Sequence, residues 1–199
     1  MTRLPVMESF LTIQGEGYHQ GRLAYFIRLA GCDVGCTWCD VKDSWSIDPG
    51  QWKEIDEVSR NAAASGAGIA VITGGEPLMH DLSELTIALS KSGLKVHLET
   101  SGAYPLSGQF DWICHSPKKF KPSLKEVYES ADELKVIVVN KNDLVWAQIE
   151  SEKVTADCLL LLQAEWEKRE KIYPLIYSYI AKNPQWRISV QSHKYLGLP

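Results

Sequence analysis

Apolar runs rich in β-branched residues recur along the chain, separated by stretches whose apolar positions fall at helical spacing. The runs AYFIRLAG (24–31), GIAVITGG (68–75), KVHLET (95–100), DWICHS (111–116), ELKVIVVN (133–140), CLLLLQ (158–163) and WRISVQ (186–191) predict seven strands. The intervening stretches 51–65, 81–92, 123–130, 142–152 and 168–183 predict helices, with Asp81 and Ser123 placed as N-caps and Ser-Gly closing the first two. Near-continuous apolar strands are buried on both faces, which predicts a largely parallel sheet covered by helices, an α/β fold. Seven strands are one more than a six-unit β/α pattern needs, so either one is surplus or the sheet has a mixed edge. No repeat, low-complexity tract or linker divides the chain, and residues 1–199 read as one domain.

Composition narrows the chemistry. With 199 residues and 45% hydrophobic content, the chain can bury one sizeable core. The net charge of −4 arises from 21 basic and 25 acidic residues with no long run of either sign, so no nucleic-acid footprint is present and small polar or anionic substrates stay open. The opening MTRLPVMESF has no secretion-signal core, and no apolar run approaches the roughly 18 residues of a membrane span, which predicts a cytoplasmic protein with no membrane partner. In a reducing compartment five cysteines are not a disulfide framework. Cys114 and Cys158 stand alone in apolar runs and are expected in the core.

The other three cysteines, Cys32, Cys36 and Cys39, lie in GCDVGCTWCD directly after the first strand. Further polar signals follow other strands: TGGEP (73–77), ETSG (99–102), HSPK (115–118) and QAEW (163–166). In parallel α/β folds these ends share one mouth, where chemistry gathers. Each signal alone has an ordinary structural explanation: Gly74-Gly75 as a turn, Glu99 as a solvated strand end, Lys118 as surface charge. Their joint placement favours a site. Three thiols could belong to a structural zinc completed by His19 or His115. They could equally hold a 4Fe-4S cluster with one iron left open to chelate a ligand.

C-x3-C-x2-C with Trp38 before the third cysteine, followed about 35 residues later by Gly74-Gly75-Glu76-Pro77, resembles the signature of the radical S-adenosylmethionine enzymes. LTIQGEGYHQGRLAYFIRLAGC (11–32), together with ETSG, SPK, the Gln163 loop and the tail QSHKYLGLP, resembles their 7-carboxy-7-deazaguanine synthase family over nearly the whole chain. The resemblance implies a partial (β/α)6-type barrel, a 4Fe-4S cluster and S-adenosyl-L-methionine. It also implies radical ring contraction of 6-carboxy-5,6,7,8-tetrahydropterin to 7-carboxy-7-deazaguanine with loss of ammonia, on the way to queuosine and related 7-deazapurines. An electron donor such as flavodoxin and a homodimer are implied as well.

Carried onto this sequence, the resemblance makes Cys32, Cys36 and Cys39 the cluster ligands. Ile13, Gln14, Gly15, Glu16, Arg28, Thr73, Glu99, His193 and Pro199 become substrate contacts, with Glu16 and Arg28 in the catalytic roles. Trp38, Gly74, Gly75, Glu76, Ser101, Ser116, Pro117, Lys118, Gln163, Ala164, Glu165 and Trp166 become cofactor contacts. Arg28 suits the substrate carboxylate, since an unpaired guanidinium within an apolar strand would be costly. The implied segments are a substrate loop at 11–22, a cluster loop at 32–45 and a tail at 191–199 that closes the site. Magnesium-assisted members carry a hydroxyl two positions after the third cysteine. Val41 stands there and has no oxygen for a hard cation, which leaves Mg²⁺ doubtful unless Asp40, Asp43 or Ser44 substitutes or Lys42 neutralises the substrate instead. Two other readings share parts of the pattern: another small radical enzyme, such as a glycyl-radical activase, and a non-catalytic zinc module.

Overall fold

A computed structural model describes residues 2–199. Its centre is one nine-stranded sheet. The strands are β1 (Arg3–Ile13), β2 (Leu23–Leu29), β3 (Trp52–Glu54), β4 (Ile69–Gly74), β5 (Lys95–Thr100), β6 (Trp112–His115), β7 (Glu133–Val138), β8 (Leu159–Ala164) and β9 (Trp186–Ser189). They lie in the order β3-β1-β2-β4-β5-β6-β7-β8-β9. All seven predicted strands are present and form an unbroken parallel run, β2 and then β4 to β9. The mixed edge consists of two further strands, with β1 antiparallel to both β2 and β3.

Six helices complete the fold: α1 (Ile55–Ala64), α2 (Ser83–Lys91), α3 (Lys125–Ser130), α4 (Asn142–Ser151), α5 (Arg169–Ile180) and α6 (Ser192–Leu196). The strand β5 passes to β6 through residues 101–111 without a helix, so seven parallel strands carry six helices. That resolves the surplus strand. One apolar cluster packs β2, β4 and β5 under α1 and α2, around Ile27, Ile72, Leu85 and Leu98. A second packs β7, β8 and β9 under α4 and α5, around Leu134, Leu162, Ile176 and Trp186.

Several predicted boundaries change for identifiable reasons. The substrate loop is 14–22, because residues 11–13 still pair with Leu23–Tyr25 as the end of β1. The first 51–65 helix begins only at Ile55, since Trp52, Lys53 and Glu54 form ladder pairs with Pro5, Leu4 and Arg3. Ser123 caps no helix: its hydroxyl donates to the Ser101 carbonyl and also meets His115 Nε2 at 2.9 Å. Nor is Asp81 the N-cap of α2, which is Leu82; from one position before it Asp81 accepts the Ser83 amide at 2.9 Å. The Ser-Gly stops hold, with Gly66 and Gly93 left-handed at φ 78° and 83°.

Candidate active site

The C-terminal ends of the parallel strands open into one cavity, lined by every residue in the inferred site except Pro117. The cluster loop leaves β2 and is held at both ends. The Gly31 and Cys32 amides donate to the Ser44 and Trp45 carbonyls, at 2.7 and 3.2 Å. Asp33 is fixed from outside by Lys121 at 2.7 Å and by the Tyr104 hydroxyl at 2.6 Å. Burial pushes the Cys36 thiol up to about 11, with Lys118 pulling the other way, and burial raises Cys32 too. Such thiols ionise when a metal ion takes the place of the proton, so the donor set fits an iron cluster.

A single zinc would need the three thiols closer together than they stand. Thiolates around one tetrahedral zinc, bonded at about 2.3 Å, lie about 3.8 Å apart. Among the described residues the triad is not a group whose donor atoms all lie within 4.8 Å; Glu99, Cys114 and Glu133 are. Neither proposed fourth ligand reaches the triad. His115 is fully buried against Ser101 and Ser123, and His19 packs tilted against His97 and edge-on to Trp112 beside a different cavity.

Gly74 and Gly75 are required by close approach of two strand ends. A Cβ on Gly74, at φ 123°, would lie 2.1 Å from the Leu29 carbonyl oxygen, and one on Gly75 would lie 2.2 Å from that of Gly31. The gap is bridged by the Gly75 amide donating to Leu29 at 2.8 Å and the Glu76 amide donating to Gly31 at 2.9 Å. This pins the Gly-Gly-Glu turn against the cluster loop. Glu76 is buried, and its carboxylate accepts from the Thr100 hydroxyl at 2.5 Å, the Ser101 amide at 2.8 Å, the Ser101 hydroxyl and the Leu78 amide at 3.1 Å. On the adjoining wall Lys118 donates to the Ser116 hydroxyl at 2.6 Å with its ammonium 5.7 Å from the centre of the Trp38 ring; burial lowers its pKa.

The opposite half of the cavity is built from distant parts of the chain. Lys135 on β7 donates to Glu16 at 2.6 Å and Glu99 at 2.8 Å, and its side chain is 4% exposed. Gln14 donates to the other oxygen of Glu99 at 3.2 Å, and Gln191 to the other oxygen of Glu16 at 2.8 Å. Burial alone would raise Glu16, but the Lys135 charge, with hydrogen bonds from Lys135, Gln191 and Gln163, holds it down at about 2. The substrate loop is anchored from below, where Glu133 accepts the Tyr18 amide at 2.8 Å and Ser189 accepts the Gly17 amide at 3.0 Å.

Arg28 reaches the cavity, stacked 4.9 Å from the centre of the Phe10 ring, and is already paired with Glu8 at 2.6 Å. The tail folds over the mouth. Ser192 donates through its amide and hydroxyl to the Gly15 carbonyl, at 2.9 and 3.0 Å, and Lys194 pairs with Asp40 at 2.7 Å. Tyr195 meets Trp166 edge-on at 5.1 Å, and Pro199 accepts from Thr12 at 3.4 Å. Burial lowers the pKa of His193, which lies against Gly15.

Sequence reading passes over Lys135, Ile137 and Gln191, which also line the cavity. The signal for Lys135 is present in ELKVIV: a lysine inside a strand otherwise buried must find a partner. For Mg²⁺ the surroundings are unfavourable. Val41 lines the cavity without an oxygen in its side chain, Asp43 does not line it, Asp40 is paired with Lys194, and only the Ser44 hydroxyl, which donates to the Val41 carbonyl at 2.6 Å, keeps lone pairs there.

Comparison with known proteins places this architecture. The family model described as the radical SAM superfamily matches residues 26–141. Proteins named 7-carboxy-7-deazaguanine synthase from Flavobacterium psychrophilum and Synechocystis are 52% and 48% identical, each over 98% of this chain and 93% of their own. The namesake from Escherichia coli is 34% identical over 98% of both chains. The crystal structure of QueE from Escherichia coli superposes with a TM-score of 0.85 at 32% identity, covering 96% of this chain and 95% of its own. With the cysteine triad, the Gly-Gly-Glu turn and the loop of Gln14 to Glu16 meeting in one cavity, the chain belongs to the 7-carboxy-7-deazaguanine synthase family of radical S-adenosylmethionine enzymes.

Proposed function

We propose that this enzyme contracts the ring of 6-carboxy-5,6,7,8-tetrahydropterin to 7-carboxy-7-deazaguanine with loss of ammonia, and that the two halves of the cavity divide the work between cofactor and substrate. The observation that carries this is the single cavity lined both by the three cysteines and by the Gln14, Glu16, Glu99 and Arg28 set. Cys32, Cys36 and Cys39 would hold a 4Fe-4S cluster, which with S-adenosylmethionine supplies a carbon-centred radical able to take a hydrogen atom from the substrate.

The rest is the work of this chain. Glu76, its carboxylate held by Thr100 and Ser101, presents fixed negative charge for the cofactor ammonium beside the open backbone of Gly74 and Gly75. Trp38, Ser116, Lys118 and the 163–166 loop close around the remainder of the cofactor. Gln14, Glu16, Glu99 and Thr73 orient the pterin ring. Arg28 has five N–H donors, so its pairing with Glu8 leaves donors for the substrate carboxylate. The tail, with His193 and Pro199, excludes water from a reactive intermediate. Cys114 and Glu133 lie beside Glu99 and Lys135 but do not line the cavity. The residues around Val41 do not fit Mg²⁺, and no step uses it. A flavodoxin-type reductant, a homodimer and a cytoplasmic location extend this reading on family membership. No helix among the described residues is long and apolar enough to cross a membrane.

The test is anaerobic turnover of the reconstituted protein with S-adenosylmethionine, reductant and 6-carboxytetrahydropterin, read by mass spectrometry. The expected result is 7-carboxy-7-deazaguanine. Cofactor cleavage without that product would retain the radical chemistry and overturn the pterin assignment.

A further inference from the structure

We propose that Lys135 is a positioning residue: it holds Glu16 and Glu99 together as two ionised acceptors, so that the pair reads the donor edge of a 2-amino-pyrimidinone ring. The inference rests on the pterin reading above and adds to it how that ring is recognised.

The geometry is that of a bridge. One ammonium, 4% exposed, touches a carboxylate from the loop after β1 at 2.6 Å and another from the end of β5 at 2.8 Å. Each carboxylate gives its second oxygen to an amide, Gln191 for Glu16 and Gln14 for Glu99. A carboxylate oxygen has two lone-pair sites, so both acids can still accept, and both line the cavity. Two carboxylates and one ammonium carry a net charge of −1. Such a cluster favours a ring edge made of N–H and NH₂ groups, and it repels the ligand's own carboxylate towards Arg28.

Without the ammonium, two like charges would face each other in a poorly solvated place, and one acid would take up a proton. A protonated acid presents a donor where the ring edge also presents one. The other titratable groups around this bridge are Glu133 and Cys114 beneath Lys135, with Lys118, His193 and Tyr173 at its margins. Glu133 is itself an acid, its pKa raised by burial, and Lys118 is occupied with Ser116, so neither takes over the role of Lys135.

The experiment is calorimetric binding of 6-carboxytetrahydropterin to the anaerobic holoenzyme without reductant, from pH 5.5 to 8.5. The wild type is expected to bind with nearly constant affinity across the acid half of that range. Lys135→Met is expected to lose at least tenfold in affinity at pH 6.5 and to regain part of it as pH rises, its acid limb moved up by roughly 1–3 pH units. Lys135→Arg keeps the charge and is expected to leave the limb at the wild-type position even where affinity falls. A folded Lys135→Met with wild-type affinity overturns the inference. So does one that is weak at every pH with no moved limb, the signature of a direct ligand contact. If Lys135→Met does not fold, Lys135→Gln, neutral yet able to hydrogen-bond, takes its place with the same two outcomes. Failure of the wild type to bind the pterin at all would refute the substrate reading instead.

Discussion

Gly15→Ala tests the closure of the tail over the mouth. A Cβ on residue 15 would lie 2.0 Å from His193 Nδ1, 2.6 Å from Cγ and 2.8 Å from Cβ, and contacts under 3.0 Å do not occur, so the imidazole must retreat by at least 1.0 Å. The obstruction includes the His193 Cβ, so turning the ring does not relieve it, and α6 has to move. That motion strains the two hydrogen bonds from Ser192 to the Gly15 carbonyl. At about 1 kcal/mol each, loss of both would cost about 2 kcal/mol, which raises the open population of the tail by up to about 30-fold. The apolar clusters around Ile72 and Leu162 are untouched, so the thermal midpoint is expected to move little. Hydrogen exchange of a peptide covering residues 191–199 is the direct assay, and KM for the pterin is expected to rise about tenfold with it. In Gly15→Ala/His193→Gly the overlap is gone, so tail protection returns while activity does not. Wild-type exchange and wild-type KM in Gly15→Ala would show that the tail does not close through this contact.

Two further predictions concern pH and metal. Burial depresses His97 to about 4 and His115 to about 3, so both are neutral in the folded protein at pH 5, while in the unfolded chain they protonate below their usual 6.5. Their contribution to stability is therefore complete above pH 6.5 and is lost as pH falls towards the folded values, at up to about 1.4 kcal/mol per pH unit for each histidine. Urea unfolding at pH 7.5 and 5.0 is expected to differ by about 4 kcal/mol from these two groups, and His115→Asn to remove about half of that difference. Turnover after chelation with EDTA is expected to change by no more than about twofold on adding millimolar Mg²⁺, because Val41 supplies no oxygen, Asp40 is paired with Lys194 and Asp43 does not line the cavity. A tenfold stimulation would refute that account of the site.

The cofactor half was legible because its residues follow consecutive strands. Once 24–31, 68–75, 95–100 and 111–116 read as parallel strands, the cysteines, Gly-Gly-Glu, Ser101 and Ser116 had to share a mouth, and they do. β1 escaped periodicity because its burial does not alternate: a register shift between Val6 and Glu8 turns the strand part-way along, leaving Leu11 exposed and Thr12 buried. Residues 52–54 read as helix because their tendency to pair with Arg3–Pro5 is visible only once β1 is known. Pro117 was grouped with its neighbours in SPK, yet only Ser116 and Lys118 line the cavity. Ser123 resembled a cap in isolation and was claimed by His115 and Ser101, a tertiary contact no local pattern encodes.

The substrate half is built on another principle. Its parts come from the loop after β1, the end of β5, the middle of β7, and α6 with the segment just before it, joined by Lys135, Gln191 and Ser192. The same loop faces two ways: Gln14 and Glu16 line the cavity, while Tyr18 stacks on Trp112 at 5.2 Å and His19 lies 4.5 Å from His97. Those contacts are near the N-terminal ends of β5 and β6, away from the mouth. The loop therefore threads the open barrel and ties the β2 side to β7 and β9 through Glu133 and Ser189. A loop anchored at its far end can hold Glu16 still without help from the ligand, which is the preorganisation that ring recognition needs. The cofactor half joins these ties at Gln163, which bonds Glu16 and accepts from Ser189, and at Trp166 against Tyr195. Its cluster loop is fixed by Ser44, Trp45, Lys121 and Tyr104, and meets the substrate half chiefly at the Lys194–Asp40 pair. Substitutions that alter ring selection can therefore leave the cysteine triad and the Gly-Gly-Glu turn in place.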